Sequence, residues 1–376
     1  MTRAALLLAA LLLAALLLAA LASPAHATPQ IDLYTMGAGD DAFAKYGHAA
    51  LCVREDDGDE RCYNFGTADF TRPVPLALAF LAGEAPFWVS TSHPARMLAA
   101  YREMDRAVWR QRLPLTPAAA TSLATRLHDF DGGRDVFEYH YRFFIDNCAT
   151  RLRDLIDEAL GGTLRTGATR PFPDPYRTQV RDAFVGEVPL AVAGELFLGR
   201  VADEPRTVWE AMYLPDVLRA EVQAQLGVAP VLLVTRRGPL PAPARLRGRA
   251  AVVSIAAMLA AVAGLLVARG WRRTGLAVAT AGLGVFGVLT WFVVILSSVP
   301  ELRHNEVALL LLPLDLALPF LGRHARRYVD VRLAGVAIVA ALSLAGVLVQ
   351  PLLAPIVAVA LILGALRVTL STGAAS

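Results

Sequence analysis

The chain has almost no lysine: Lys45 is the only one, and its other basic side chains are all arginine. That one-sidedness reads as a coding bias more than as a function. Acidic residues nearly balance the basic ones, leaving a formal net charge of +3. Such a balance lacks the concentrated positive surface that nucleic-acid binding requires, so no nucleic-acid partner is expected. Cysteine is also scarce, at three residues. No cofactor and no metal site are expected.

Apolar residues are abundant but unevenly spread. The hydrophobic fraction is 56%, with a mean hydropathy of +0.48. The excess lies in residues 4–22 and again after residue 250. Between them is a stretch of ordinary mixed polarity, about 220 residues long and able to bury its own core. Arg3 followed by the apolar run 4–21 and by Ala25-His26-Ala27 has the form of an export signal, cleaved after Ala27 or kept as an anchor. The expected organisation is a signal at 1–27, an exported α+β domain at 28–238, a Pro- and Arg-rich linker at 239–249 and an all-α membrane domain at 250–376.

Five spans are expected in that last region, near 250–267, 275–296, 307–321, 333–349 and 352–366. Several fall short of the ~20 residues of a full crossing, so tilt or adjoining polar residues must supply the rest. With the first domain outside, the inner loops and tail hold eight arginines (269, 272, 273, 323, 326, 327, 332 and 367), against Arg303 alone outside. This matches the usual excess of positive charge on the inner side. A second cluster, Arg236, Arg237, Arg245, Arg247 and Arg249, precedes the first span and is suited to lipid phosphates.

Within the exported domain, strands are expected at 31–35, 46–54, 61–65 and 231–235. Helices are expected at 73–83, 94–105, 117–129, 148–160, 188–199 and 206–225, several of them opened by proline. Residues 163–190 look like loop. The acidic turn Asp56-Asp57-Gly58-Asp59 centres a hairpin near Asp57. Opposed residues then sum to 114, which sets Cys52 against Cys62, a pair close enough to bridge.

Cys148 is the cysteine left over. Asn147 is positioned to cap a helix that Cys148 begins, and the positive end of that helix favours a thiolate. The bland alternative is a small buried apolar side chain. A thiol nucleophile needs a base, usually histidine. His93 opens a helix, His128 and His324 lie in polar surroundings, and His140 is a chain neighbour of Cys148. His48, after Gly47 at the head of an alternating strand, is the preferred base. The hairpin register sets Asn64 opposite Ala50, where it can orient the His48 imidazole as a neutral third member.

The segments Tyr46-Gly47-His48-Ala49-Ala50-Leu51, Tyr63-Asn64-Phe65-Gly66 and 139–151, with Asn147-Cys148-Ala149-Thr150 at its centre, carry a resemblance. They resemble a family long known only as a domain of unknown function and now associated with bacterial lipoprotein N-acyltransferases. The order His before Cys is similar to the circularly permuted papain-like enzymes. Gly199-Arg200 with Asp203, Met212 to Pro215, and His304-Asn305-Glu306 before Leu312-Pro313 look like the same family. Two features depart from it: the Cys52/Cys62 pair, and Val299-Pro300-Glu301 where a His-Pro would be expected.

The resemblance implies a permuted papain-like domain in the periplasm of a protein of the bacterial inner membrane. It implies a catalytic set of Cys148, His48 and Asn64. Cys148 would take an acyl chain from a membrane phospholipid, and the N-terminal amine of a diacylated lipoprotein would accept it. A membrane-anchored cysteine amidase acting on the cell wall, or a non-catalytic lipid-binding module, are the other functions to weigh. Asp315, inside an apolar span, is a structural partner or part of a lipid path.

Overall fold

The acidic turn sets the first hairpin. Glu55 N–H donates to Asp59 O at 2.9 Å, Asp59 N–H donates to Asp57 Oδ1 at 2.9 Å, and Gly58 takes φ +86°. Only glycine adopts that backbone without strain. The flanking strands β1 (Gln30–Met36), β2 (His48–Arg54) and β3 (Glu60–Thr67) then pair antiparallel, with Cys52 opposite Cys62 as the arithmetic requires. The two cysteines form a disulfide.

The coordinates are a computed structural model that describes residues 28–41, 44–184, 186–239 and 247–372. The expected signal at 1–27 and most of the linker at 239–249 lie outside the described residues. Further strands β4 (Pro86–Ser92), β5 (Val108–Arg112), β6 (Glu138–His140) and β9 (Val231–Val234) complete a seven-stranded sheet in the order β6-β4-β3-β2-β1-β5-β9. A second, two-stranded sheet joins β7 (Pro171–Phe172) to β8 (Arg206–Thr207). Strands β4 and β5 were not expected. One has Pro, two Ser and Thr in it, and the other, VWRQR, carries three long polar side chains, so neither alternates as a half-buried strand should.

One face of the sheet, with Leu51, Tyr63 and Phe65, packs on the helices Pro117–His128 and Cys148–Ala159. The other, with Tyr34, Met36 and Ala50, packs on Met97 of the helix Pro94–Glu103. Covered on both faces, the central strands are apolar almost throughout.

Two expectations in this region need correction. Residues 163–190 contain two helices, Thr163–Gly167 and Tyr176–Ala183, and Arg177 anchors the second from inside: it is 1% exposed and donates to Asp203 at 2.7 and 2.8 Å. The expected helix 206–225 is broken into Val208–Ala211 and Pro215–Leu226, with Pro215 opening the second piece. Arginines before the first span also make contacts within the protein. Arg236 donates its guanidinium to Asp40 and Arg249 approaches Glu195, while Arg237 donates its backbone N–H to Asp105 and leaves its side chain 82% exposed. Arg247 has partners of its own, and Arg245 lies outside the described residues.

The C-terminal unit is helical. Three of its helices, Arg247–Ala268, Arg272–Leu296 and Leu353–Ser371, are long and apolar enough to cross a membrane. A fourth, Ala325–Leu344, begins with charged residues. The third expected span, 307–321, is not an α-helix but a run of 3₁₀ turns, Glu306–Leu309 and Pro313–Phe320. Pro313 and Pro319 remove the donors an α-helix would need there. The stretch lies along the helix Arg272–Leu296. Trp291 Nε1 donates to Ala308 O at 3.1 Å, and Arg272 reaches Gly322 O at 2.9 Å near the other end. The five-span expectation is thus reduced to three helices of adequate length and composition among the described residues. Arg332, expected in an inner loop, is buried within Ala325–Leu344.

The two units meet through polar contacts. Ser298 donates to Ala82 O at 2.7 Å, Arg200 N–H to His304 O at 2.7 Å, and Asn305 Nδ2 to Leu196 O at 2.7 Å. Gly199 is required at this seam, because a Cβ there would lie 2.5 Å from His304 O.

Candidate active site

Asn147 begins the site. Its Oδ1 accepts from Ala149 N–H and Thr150 N–H, both at 2.9 Å, and Thr150 Oγ1 accepts from Asn147 N–H at 2.7 Å. This reciprocal cap starts the helix at Cys148, as its sequence position implies. Asn147 Nδ2 also donates to Tyr213 O at 2.9 Å, tying the helix start to the segment before Pro215. Phe144, Tyr176 and Tyr213 form an aromatic cluster there with Leu302 against it, so the segment that ties down the helix start adjoins the C-terminal unit.

The helix lays Cys148 across the head of β2 and β3. A Cβ at Gly66 would stand 3.4 Å from Cys148 Cβ and 3.6 Å from the Tyr141 ring. Both are ordinary contacts, so it is the φ of +90°, not lack of space, that calls for glycine at 66 beside the nucleophile candidate. Leu51 pairs with Tyr63 and Cys52 with Cys62, so the same register carried one step on sets Asn64 across from Ala50. The backbone N–H of Ala49, next to His48, hydrogen-bonds the Cys148 sulfur. The Asn64 side chain hydrogen-bonds His48. Its Nδ2 lies 3.3 Å from Ser92 Oγ, which anchors the amide on β4. All three expected residues therefore gather at one end of the sheet.

The electrostatics differ from expectation. Burial pushes the Cys148 thiol up to about 11, against the pull of N–H groups of Ala49, Ala149 and Cys148 and of Arg106. The helix end does favour the thiolate, but desolvation is larger. His48 is lowered to about 4, first by burial and then by the Arg106 charge, with Asn64 opposing. At neutral pH the pair is thiol and neutral imidazole. The N–H groups of Ala149 and Thr150 at this helix start are engaged by Asn147, so neither is free to hold an oxyanion.

Arg106 escaped sequence reasoning. It sits between a helix and β5 in a segment with no motif, and only its place in the fold brings it near His48. The remaining histidines of the exported domain have other tasks. His93 Nδ1 accepts from Ala95 N–H at 3.2 Å, His128 lies 3.2 Å from Glu55, and His140 stands opposite Pro86 of β4 with its side chain exposed. His304 belongs to the seam between the units. No cluster able to hold a metal ion occurs among the described residues.

No curated protein and no solved structure matches the chain. Residues 23–181, which contain His48, Asn64 and Cys148, match the family model described as the Lnb N-terminal periplasmic domain. With the three apolar helices beyond it, the chain has the form of a membrane protein whose N-terminal unit is similar to that periplasmic domain.

Proposed function

We propose that the protein is a thiol-dependent acyltransferase of the bacterial inner membrane, moving an acyl chain from phospholipid to the N-terminal amine of a diacylated lipoprotein. The observation that carries this reading is the convergence of Cys148, His48 and Asn64 at the sheet end, with aromatic residues joining that end to the membrane unit. The likeness of residues 23–181 to the Lnb periplasmic domain supports it. So does the order of the dyad along the chain, which suits a permuted papain-like fold.

Because the resting pair is neutral, the thiol proton passes to His48 as the sulfur attacks the ester carbonyl, not beforehand. Collapse of the tetrahedral species expels the glycerol oxygen, which takes the proton back from His48. An acyl-thioester and lysophospholipid result. The lipoprotein amine then attacks the thioester, yielding the amide, and the sulfur leaves as the restored thiol. Dividing the transfer in two lowers each barrier. Asn64 keeps the imidazole in the useful orientation.

One observation favours a second reading, a non-catalytic module: Cys148 is only 8% exposed. The two readings separate in cells making wild type, Cys148→Ala or His48→Ala. Mass spectrometry of lipoprotein N-termini should show N-acylation with wild type only. Undiminished N-acylation with Cys148→Ala would remove the proposal.

A further inference from the structure

Four arginines with buried side chains stand out: Arg106, Arg153, Arg177 and Arg332, at 6%, 7%, 1% and 6% exposure. Three have a carboxylate. Arg153 lies 2.8 Å from Asp154, Arg177 2.7 Å from Asp203 and Arg332 2.8 Å from Asp315. Arg106 makes no ion pair among the described residues, although the charge of Asp41 reaches it from farther off. Its Nε donates to Gly37 O at 2.9 Å, its guanidinium lies 4.8 Å from the Tyr101 ring centroid, and its Nη2 has no hydrogen-bond partner.

A buried cation without a counter-charge is costly, and buried charges are normally paired. The contacts Arg106 does make hold it in place without neutralising it. Gly39 packs on its stem, where a Cβ would stand 3.0 Å from Cδ. Arg106 is therefore held in place with its Nη2 unpartnered, and its charge is felt by both His48 and Cys148. An oxyanion with two acceptors is the natural complement of a guanidinium fork.

We infer that Arg106 is an anion subsite of the active site, taking the phosphodiester of the acyl donor while the neighbouring ester lies over Cys148. This rests on the acyl-transfer reading above. In a glycerophospholipid the phosphate is only a few bonds from the acyl ester, so one residue beside the nucleophile can hold it. The subsite selects donors that carry a phosphate over neutral glycerides. The bound negative charge also offsets the Arg106 field at His48, making the imidazole a stronger base when a donor is in place.

The test uses the full-length protein in neutral detergent, with phosphatidylglycerol or diacylglycerol of the same chains as donor and a diacylated lipopeptide as acceptor. Wild type should prefer the phospholipid by roughly tenfold or more, the worth of a charge-assisted hydrogen bond. That ratio should fall towards one in Arg106→Gln and be partly restored in Arg106→Lys. Equal loss with both donors would place Arg106 on the reacting carbonyl and overturn the subsite, as would an unchanged ratio. A separate arm needs no turnover. Inorganic phosphate should raise the melting temperature of wild type and not of Arg106→Gln, and no shift in wild type would overturn the subsite. If phosphate stabilises wild type but neither donor is used, the acyl-transfer reading fails and the anion site stands. Competition by inorganic phosphate against phosphatidylglycerol distinguishes a site that accepts the free ion from one that needs the lipid.

Discussion

At Cys148 two opposed effects act on one sulfur. Hydrogen bonds from three backbone N–H groups favour the anion, and burial among Gly66, Tyr141 and the helix core favours the neutral thiol. Burial wins, and the thiol sits near 11 against an ordinary value of 9.0. The consequence is measurable in the full-length protein. Alkylation of Cys148 by iodoacetamide should be slow at pH 7 and keep rising with pH towards about 11. In denaturant it should level off near 9. The sign for stability follows: the folded state holds the proton longer, so stability present below pH 9 is lost as pH rises from 9 through 11. A labelling rate already flat at pH 8 in the folded protein would show a thiolate and contradict the neutral pair.

The element that matters most is the helix Cys148–Ala159, and its start is set by Asn147. Asn147→Ala removes the acceptor for two N–H groups and the donor to Tyr213 O. It should cost about 1 kcal/mol for the cap alone, and more for the buried carbonyl left behind, read as a lowered melting temperature. Asn147→Asp keeps the acceptor and should lie nearer wild type; equal loss in both would show that the Tyr213 contact dominates. This element was readable from sequence, because a cap and a helix start are local chemistry. So was the β2–β3 register, fixed by the turn around Gly58 and checked by the Cys52–Cys62 bridge. Closing a loop of that length contributes roughly 3 kcal/mol. What could not be read depends on distant partners. The helix Tyr176–Ala183 is anchored where Asp203 receives Arg177. The spare charge of Arg106 is apparent only beside the other buried arginines. The depressed helix-end effect at Cys148 needed the burial that only the packed fold reveals.

At the scale of the whole molecule, the question is how a run of 3₁₀ turns is held inside a bundle of apolar helices. Gly284 and Gly287 of Arg272–Leu296 let it approach. A Cβ at Gly287 would stand 2.7 Å from the Leu312 carbonyl carbon, and one at Gly284 would collide with Leu316. Asp315 then fastens the run to Ala325–Leu344. It accepts from Arg332 at 2.8 and 2.9 Å and from Tyr328 Oη at 2.7 Å, while Arg332 also donates to Leu310 O at 2.6 Å. Asp315 is 1% exposed, so its role is a structural pairing and not a lipid path. Asp315→Asn leaves a buried guanidinium without its counter-charge, a loss of about 3–5 kcal/mol for a buried pair broken on one side. The protein should accumulate poorly and melt early in detergent. Asp315→Leu with Arg332→Met removes both charges together and should recover much of that loss, since an apolar pair of similar volume suits the site. If the double variant is as unstable as Asp315→Asn, the hydrogen bonds to Leu310 O and Tyr328, not charge balance, hold the irregular pass in place.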